Sequence, residues 1–383
     1  MGAISVEYVD PSIDTDSGDG SLGNPWGRYS YCLSQMTFDP TNGTAIAIKQ
    51  GTTMVGSDYT IPTGPNAVDL LWHVVWDGTN AWSVDDDQTA LTPPTFDGNN
   101  ANTPIFDFWG GSSHQRTWIH WINFKFQNSG TAELVNAYNM MFFDHCEFSN
   151  SGGAGILGTN FYGSVSDCVF IGLTGVSLQG SNASFYNNYI YTDNSSGHGI
   201  VNSGGIIWGN IIDLNGGGAI SLTSQSASKM VANNTLVQRT KGTIRDGIWF
   251  GTTVAVSSTS VINNIFSGHE AALDGWLSTY DFLHLQGNTF YDCNSAMNAI
   301  DQVMRGNAPS ASATSDNVIV QDNPLAEQGL KPDSLDNISR KYTYYGLADS
   351  ALSLGYPFKS GYFRGAVAPP AGSTYSLHPL AYN

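Results

Sequence analysis

The chain of 383 residues sets 32 acidic side chains against 14 basic ones, and its formal charge of -18 repels nucleic-acid phosphates and anionic membrane surfaces. Its 43 glycines, 12% aromatic residues and only 12% charged residues exclude a helical or disordered chain: such a composition buries a core but must turn constantly. No stretch approaches the length of a membrane span, so neither nucleic acid nor membrane is expected as a partner.

Residues 1–60 read as an N-terminal cap and first turn. An edge strand leads into an Asp/Gly loop, a short helix around Tyr29 to Met36, and then the alternating run "GTAIAIKQGTTMV". The opening "MGAISVEYVDPS" lacks the basic start and apolar stretch of a secretory signal, which points to synthesis in a cytoplasm. Residues from about 60 to 115 read as early turns interrupted by an acidic, Trp-bearing insertion, "VVWDGTNAWSVDDDQTALTPPTFDGNN". Trp72, Trp76, Trp82, Trp109, Trp118 and Trp121 crowd this third of the chain, and alternation assigns about half of them to the core.

From about residue 100 to 320 one figure recurs: "NFKF", "DHCEF", "SDCVF", "YNNYI", "WGNII", "ANNTL", "INNIF", "QGNTF" and "SDNVI". Aligned, these place Phe124, Cys146, Cys168, Asn188, Asn210, Asn234, Asn264, Asn288 and Asn317 in one column, with steps of 22, 22, 20, 22, 24, 30, 24 and 29. A second column of small residues, Gly155, Gly175, Gly199, Gly218 and Gly247, falls between members of the first. Each repeat therefore holds at least two short strands, too small to bury a core alone, and must stack on its neighbours. Residues 61–323 form the expected solenoid. Stacking also accounts for asparagine inside strands, because each amide can donate to the one above and accept from the one below. Cys146 and Cys168 share that column one repeat apart; two small buried thiols are the favoured reading over a disulfide. Four cysteines are too few and too scattered for a disulfide framework or a zinc site.

These features resemble the right-handed parallel β-helix proteins, the pectate-lyase-like solenoids. The asparagine column is similar to the ladder at their tight turns, "YVDPSIDTDSGDGSLGNPWGRYSYCLSQM" resembles the entry to such helices, and "DNPLAEQGL" with "ADSALSLGYPF" resembles their close. The resemblance implies an all-β, single-stranded right-handed parallel β-helix with a short N-terminal capping helix. Residues 324–383 form an irregular C-terminal tail, rich in Tyr342, Tyr344, Tyr345, Tyr356 and Tyr362. It implies no particular activity, since this solenoid carries lyases, hydrolases, adhesins and viral spikes.

The chemistry is sparse. Asp144, Asp167, Asp193, Asp213, Asp246 and Asp274 do not share a column, and the offset between Asp144 and Asp167 aims them at opposite faces. The eight histidines show no metal-ligand spacing, so no metal site is expected, and calcium enters only if the chain is a lyase. The best cluster is Lys241, Arg245 and Asp246 in "KGTIRDGIWF", followed one turn later by His269, Glu270 and Asp274; of these Arg245, Asp246, His269, Glu270 and Asp274 are the weak catalytic candidates. A salt-bridged edge or subunit contact is the competing reading of that cluster. With no aligned catalytic column and aromatic surfaces near both ends, the leading expectation is a bacteriophage virion protein of spike or head-decoration type. It would be a homotrimer bound to other virion proteins and touching host glycans. The alternatives are a polysaccharide lyase or glycoside hydrolase, and an extracellular carbohydrate-binding adhesin.

Overall fold

The computed structural model describes residues 4–39, 41–59, 61, 69–76, 92–108, 117–192, 197–223, 229–239, 246–251, 259–275, 283–286, 288–291, 293, 295–297 and 318–320. The chain divides into two units, Met1–Gly180 and Ser181–Asn383. The division falls inside the expected solenoid, and the expected tail of residues 324–383 lies outside the described residues.

In the first unit consecutive strands belong to three different parallel sheets. The first sheet holds Ser5–Val9, Thr44–Lys49, Asp69–Trp76, Thr117–Ile122, Met141–Asp144 and Ser164–Ser166. The second holds Thr53–Val55, Thr95–Asp97, Lys125–Gln127, Glu147–Ser151 and Val169–Leu173; the third holds Phe106–Asp107, Val135–Asn139, Ile156–Phe161 and Leu178–Gly180. One strand from each sheet makes a turn, and the next turn lies in register on it, as Phe126 pairs with Phe148 and Phe148 with Phe170. This is a parallel β-helix. Rungs about 4.8 Å apart bring identical side chains into contact, so Phe96, Phe126, Phe148 and Phe170 stack at 5.5, 5.0 and 4.7 Å with ring planes within 11°. A parallel file, His73, Trp121 and Phe143, stacks at 5.0 and 4.8 Å.

The open edge of the first strand is closed by the chain itself. Tyr8 N–H donates to the Gly20 carbonyl, and its own carbonyl accepts from Trp26 N–H, at 3.0 and 2.9 Å. Those bonds consume the edge that would otherwise pair with another chain. The helix Tyr29–Gln35 turns Tyr29, Cys32 and Leu33 inward over the same end, one residue shorter than the sequence reading.

The second unit repeats the plan. Its first sheet holds Ser184–Tyr186, Gly205–Trp208, Lys229–Ala232, Thr259–Ile262 and Leu283–Gln286. Its second holds Tyr189–Thr192, Ile211–Leu214, Thr235–Gln238, Ile265–Ser267, Thr289–Tyr291 and Val318–Val320. Its third holds His198–Asn202, Gly218–Leu222, Asp246–Phe250, Ala271–Gly275 and Ser295–Met297.

The turn from first to second sheet explains the asparagines. Asn188, Asn210, Asn234, Asn264 and Asn288 are all fully buried. The Nδ2 of each of the first four donates to the Oδ1 of the following member at 2.9–3.0 Å, and the backbone N–H of each donates to that same oxygen. The remaining Nδ2 proton goes to a backbone carbonyl, as from Asn234 to Ile207 and from Asn264 to Val231. Every amide is thereby satisfied at a site where an orphan would cost about 1–3 kcal/mol. In the first unit the free thiols of Cys146 and Cys168 occupy the equivalent positions, and Cys168 Sγ accepts the Cys146 N–H at 3.3 Å. Asn317 lies outside the described residues.

A column that the sequence reading passed over makes this corner possible. The residue before each member takes a left-handed backbone: Asn123, His145, Asp167, Asn187, Gly209, Asn233 and Asn263, with φ between 52° and 68°. Asn, Asp and Gly tolerate that region best, and all of these residues but His145 are of those types. The glycine column is corrected in turn. Ile156 pairs with Leu178, which sets Gly155 beside Ser177 rather than Gly175, and His198 rather than Gly199 pairs with Gly218. The loop before Gly218 is two residues shorter than the one before His198, which shifts that register, whereas the loops before Ile156 and Leu178 are equal and Gly175 falls two residues early within its loop.

Candidate functional site

The strands His198–Asn202 and Asp246–Phe250 depart from strict alternation at their start, so two consecutive residues of each face inward. An alanine-sized group at Gly247 would meet the Phe266 ring at 2.6 Å, and one at Gly199 would meet Ile212 at 2.7 Å, so both positions face the core. The flanking residues, His198 and Val201 in one strand, Asp246 and Trp249 in another, are partly exposed on the outer face. The pairing of Trp249 with Asp274 adds a second carboxylate to that face, one rung away. His198 lies across Gly218, where a Cβ would come within 2.6 Å of its ring, and reaches Trp249 with ring centroids 6.1 Å apart and planes 15° from parallel. Asp274 Oδ1 accepts the Gly275 N–H at 2.7 Å, which fixes its rotamer.

The face therefore carries an indole, an imidazole stacked near it, and two carboxylates. Asp246 pairs with Ala271, three residues before Asp274. With rungs about 4.8 Å apart and about 3.3 Å per residue, their Cα atoms are about 11 Å apart. Sugar rings stack on indole, and carboxylates accept from sugar hydroxyls or trade protons with a glycosidic oxygen.

The other sequence candidates are dispersed. Lys241 and Arg245 lie outside the described residues. Glu270 is half-buried in the bend before the third sheet. His269 is 1% exposed, packed edge-on against Phe266, and neither ring nitrogen makes a hydrogen bond of good geometry among the described residues. Burial lowers its pKa to about 4 and keeps it neutral. His198 and Trp249 were not singled out for the site. Their signal was present in "GHGIV" and "RDGIWF", once the strand bend is known to turn the residue before the glycine outward.

One expectation is overturned in the first unit. Asp144 and Asp167 do not face apart; with His145 they bring donor atoms within 4.8 Å of one another. The left-handed conformation at both His145 and Asp167 swings those side chains to the same corner, beside the end of the strand carrying Asp144. Burial pushes the Asp144 carboxyl up, but His145 Nδ1 at 3.1 Å and the Ser166 hydroxyl at 2.8 Å outweigh it and leave the pKa lowered. Calcium takes six to eight oxygen ligands, so two carboxylates and an imidazole fit that ion poorly. A borderline metal with mixed nitrogen and oxygen ligands is the closer match to this donor set.

Three parallel sheets with a stacked turn column define the class: a parallel β-helix of the pectate-lyase-like kind. No protein-family model matches the chain, and no curated protein matches it. Among solved structures, that of pectate lyase Pel9A is similar over 97% of this chain and 98% of its own, with a TM-score of 0.53 and 13% identity. At that identity the likeness is one of fold.

Proposed function

We propose that the chain acts on a polysaccharide, which it holds along the outer face of the third sheet in residues 181–383. The observation that carries this is Trp249, partly exposed, beside His198 and in register with Asp274. Its indole stacks on a sugar ring while Asp246 and Asp274 address the hydroxyls and the glycosidic oxygen. The two carboxylates, one rung apart, are assigned as the general acid and the general base of hydrolysis. The fold shared with a pectate lyase supports a carbohydrate substrate. The charge of -18 favours a neutral polymer over a polyuronate.

The test incubates the protein with neutral and uronate polysaccharides and follows reducing ends and the absorbance of unsaturated uronates. Reducing ends without that absorbance, lost at least a hundredfold in Asp246→Asn or Asp274→Asn, are expected for acid–base hydrolysis. Unsaturated product would show elimination instead and overturn the assignment of the carboxylates.

A virion-associated trimer is the second reading. Only its self-association draws on an observation, the apolar outer face of the first sheet in residues 1–180, where Tyr8, Trp72, Trp76 and Ile122 are only partly buried against Ala47 and Val74. Its test is the mass of the protein in solution.

A further inference from the structure

The cap of the first unit carries a half-open cleft of about 530 Å³, within the range of roughly 300–1,000 Å³ common for small-ligand sites. Pro11, Asp14, Arg28, Ser30, Met54 and Tyr59 are among the residues that line it. None of these residues enters the sheet face built on His198, Asp246, Trp249 and Asp274.

Tyr59 is held rigidly. Its ring packs edge-on against Tyr29 at 5.3 Å and Phe96 at 6.0 Å, and lies against Phe106 at 5.5 Å. The hydroxyl sits over Gly56, where φ is 150° and a Cβ would come within 3.0 Å of it. Tyr29 commits its own hydroxyl to His73 Nε2 at 2.8 Å, whereas the Tyr59 hydroxyl makes no hydrogen bond among the described residues. Burial pushes the Tyr59 pKa up to about 12, so the phenol remains a donor throughout the physiological range.

Arg28 supplies the second handle. Its Nε donates to Asp14 at 3.0 Å and its Nη1 to Asp16 at 3.3 Å, which leaves Nη2 available. Asp14 Oδ1 is taken by that contact, which leaves Oδ2. A guanidinium N–H and a carboxylate oxygen side by side match a pair of neighbouring hydroxyls, one accepting and one donating. Two carboxylates around one guanidinium, in a chain of charge -18, disfavour an anionic ligand.

We infer that this cavity binds a neutral saccharide unit, with vicinal hydroxyls on Arg28 and Asp14 and a further hydroxyl on Tyr59. The site is distinct from the sheet face and holds sugar whether or not that face does.

The experiment titrates the full chain with maltotriose, xylotriose, mannotriose and trigalacturonate, followed by ligand-observed NMR. At least one neutral trisaccharide is expected to bind, and trigalacturonate more weakly. Tyr59→Phe keeps the ring and its packing and should weaken binding about five- to tenfold, the worth of one hydrogen bond. In a Trp249→Ala background, which removes the stacking ring of the sheet face, binding in the cavity should persist and stay sensitive to Tyr59→Phe. Failure of every neutral trisaccharide to bind, or full affinity in Tyr59→Phe, overturns the inference. Binding lost in Trp249→Ala but kept in Tyr59→Phe would place the sugar on the sheet face, removing the cavity site while leaving the proposed function intact.

Discussion

Single side chains in this protein are judged by their surroundings more than by their type. His269 looks like a catalytic base when read next to Glu270 and Asp274, yet it lies in the core with a pKa near 4. A histidine whose folded pKa falls below its unfolded value of about 6.5 disfavours the protonated form in the native state only. Between those values the unfolded chain binds more protons, so stability is complete above pH 6.5 and falls as the pH drops toward 4. His120, sandwiched at 4.0 Å from Trp72 and 4.3 Å from Phe142 and also lowered to about 4, adds a contribution of the same sign. His269→Leu should therefore remove roughly 3 kcal/mol of the pH dependence between pH 6.5 and 4, measured by urea denaturation across that range. An unchanged slope would mean that the ring is not buried as neutral imidazole. Such burial was not readable from spacing, because sequence reveals which residues are neighbours along the chain and not which side of a bent strand they occupy.

At the scale of the element, the turn column shows why some of this architecture was legible. Asn188, Asn210, Asn234, Asn264 and Asn288 are spaced by one turn each, and in the structure they are the residues whose amides bond in series. Asparagine is so out of place in a buried strand that its repetition carries a structural message. The left-handed residue preceding each one was equally visible, in Asn187, Gly209, Asn233 and Asn263, but its meaning depends on backbone angles. Glycine columns were less informative: Gly175 and Gly218 are out of register with Gly155 and Gly199 because glycine marks close approaches of several kinds. Asn234 accepts two hydrogen bonds from Asn210 and donates to Asn264 and to backbone carbonyls. Asn234→Ala should destabilise the protein by about 3 kcal/mol in urea unfolding, since it strands partners on both neighbouring rungs. A loss below about 1 kcal/mol would show that water replaces the amide and that the column is incidental.

For the whole molecule, the parallel β-helix leaves function to its outer faces. Inward positions are filled by stacked rings and aliphatic files in each unit, so chemistry is confined to side chains that point out, where neighbouring rungs set them in rows. The row in the second unit brings together a stacking ring and two acids, Asp246, Trp249 and Asp274, from two neighbouring strands. Affinity electrophoresis tests the proposed role of that face most directly, with native gels cast with and without each polysaccharide of a neutral and acidic panel. Retardation of the wild-type protein by a neutral polymer, abolished in Trp249→Ala, is the predicted result. Migration unaffected by every polymer, or retardation undiminished in Trp249→Ala, would contradict it.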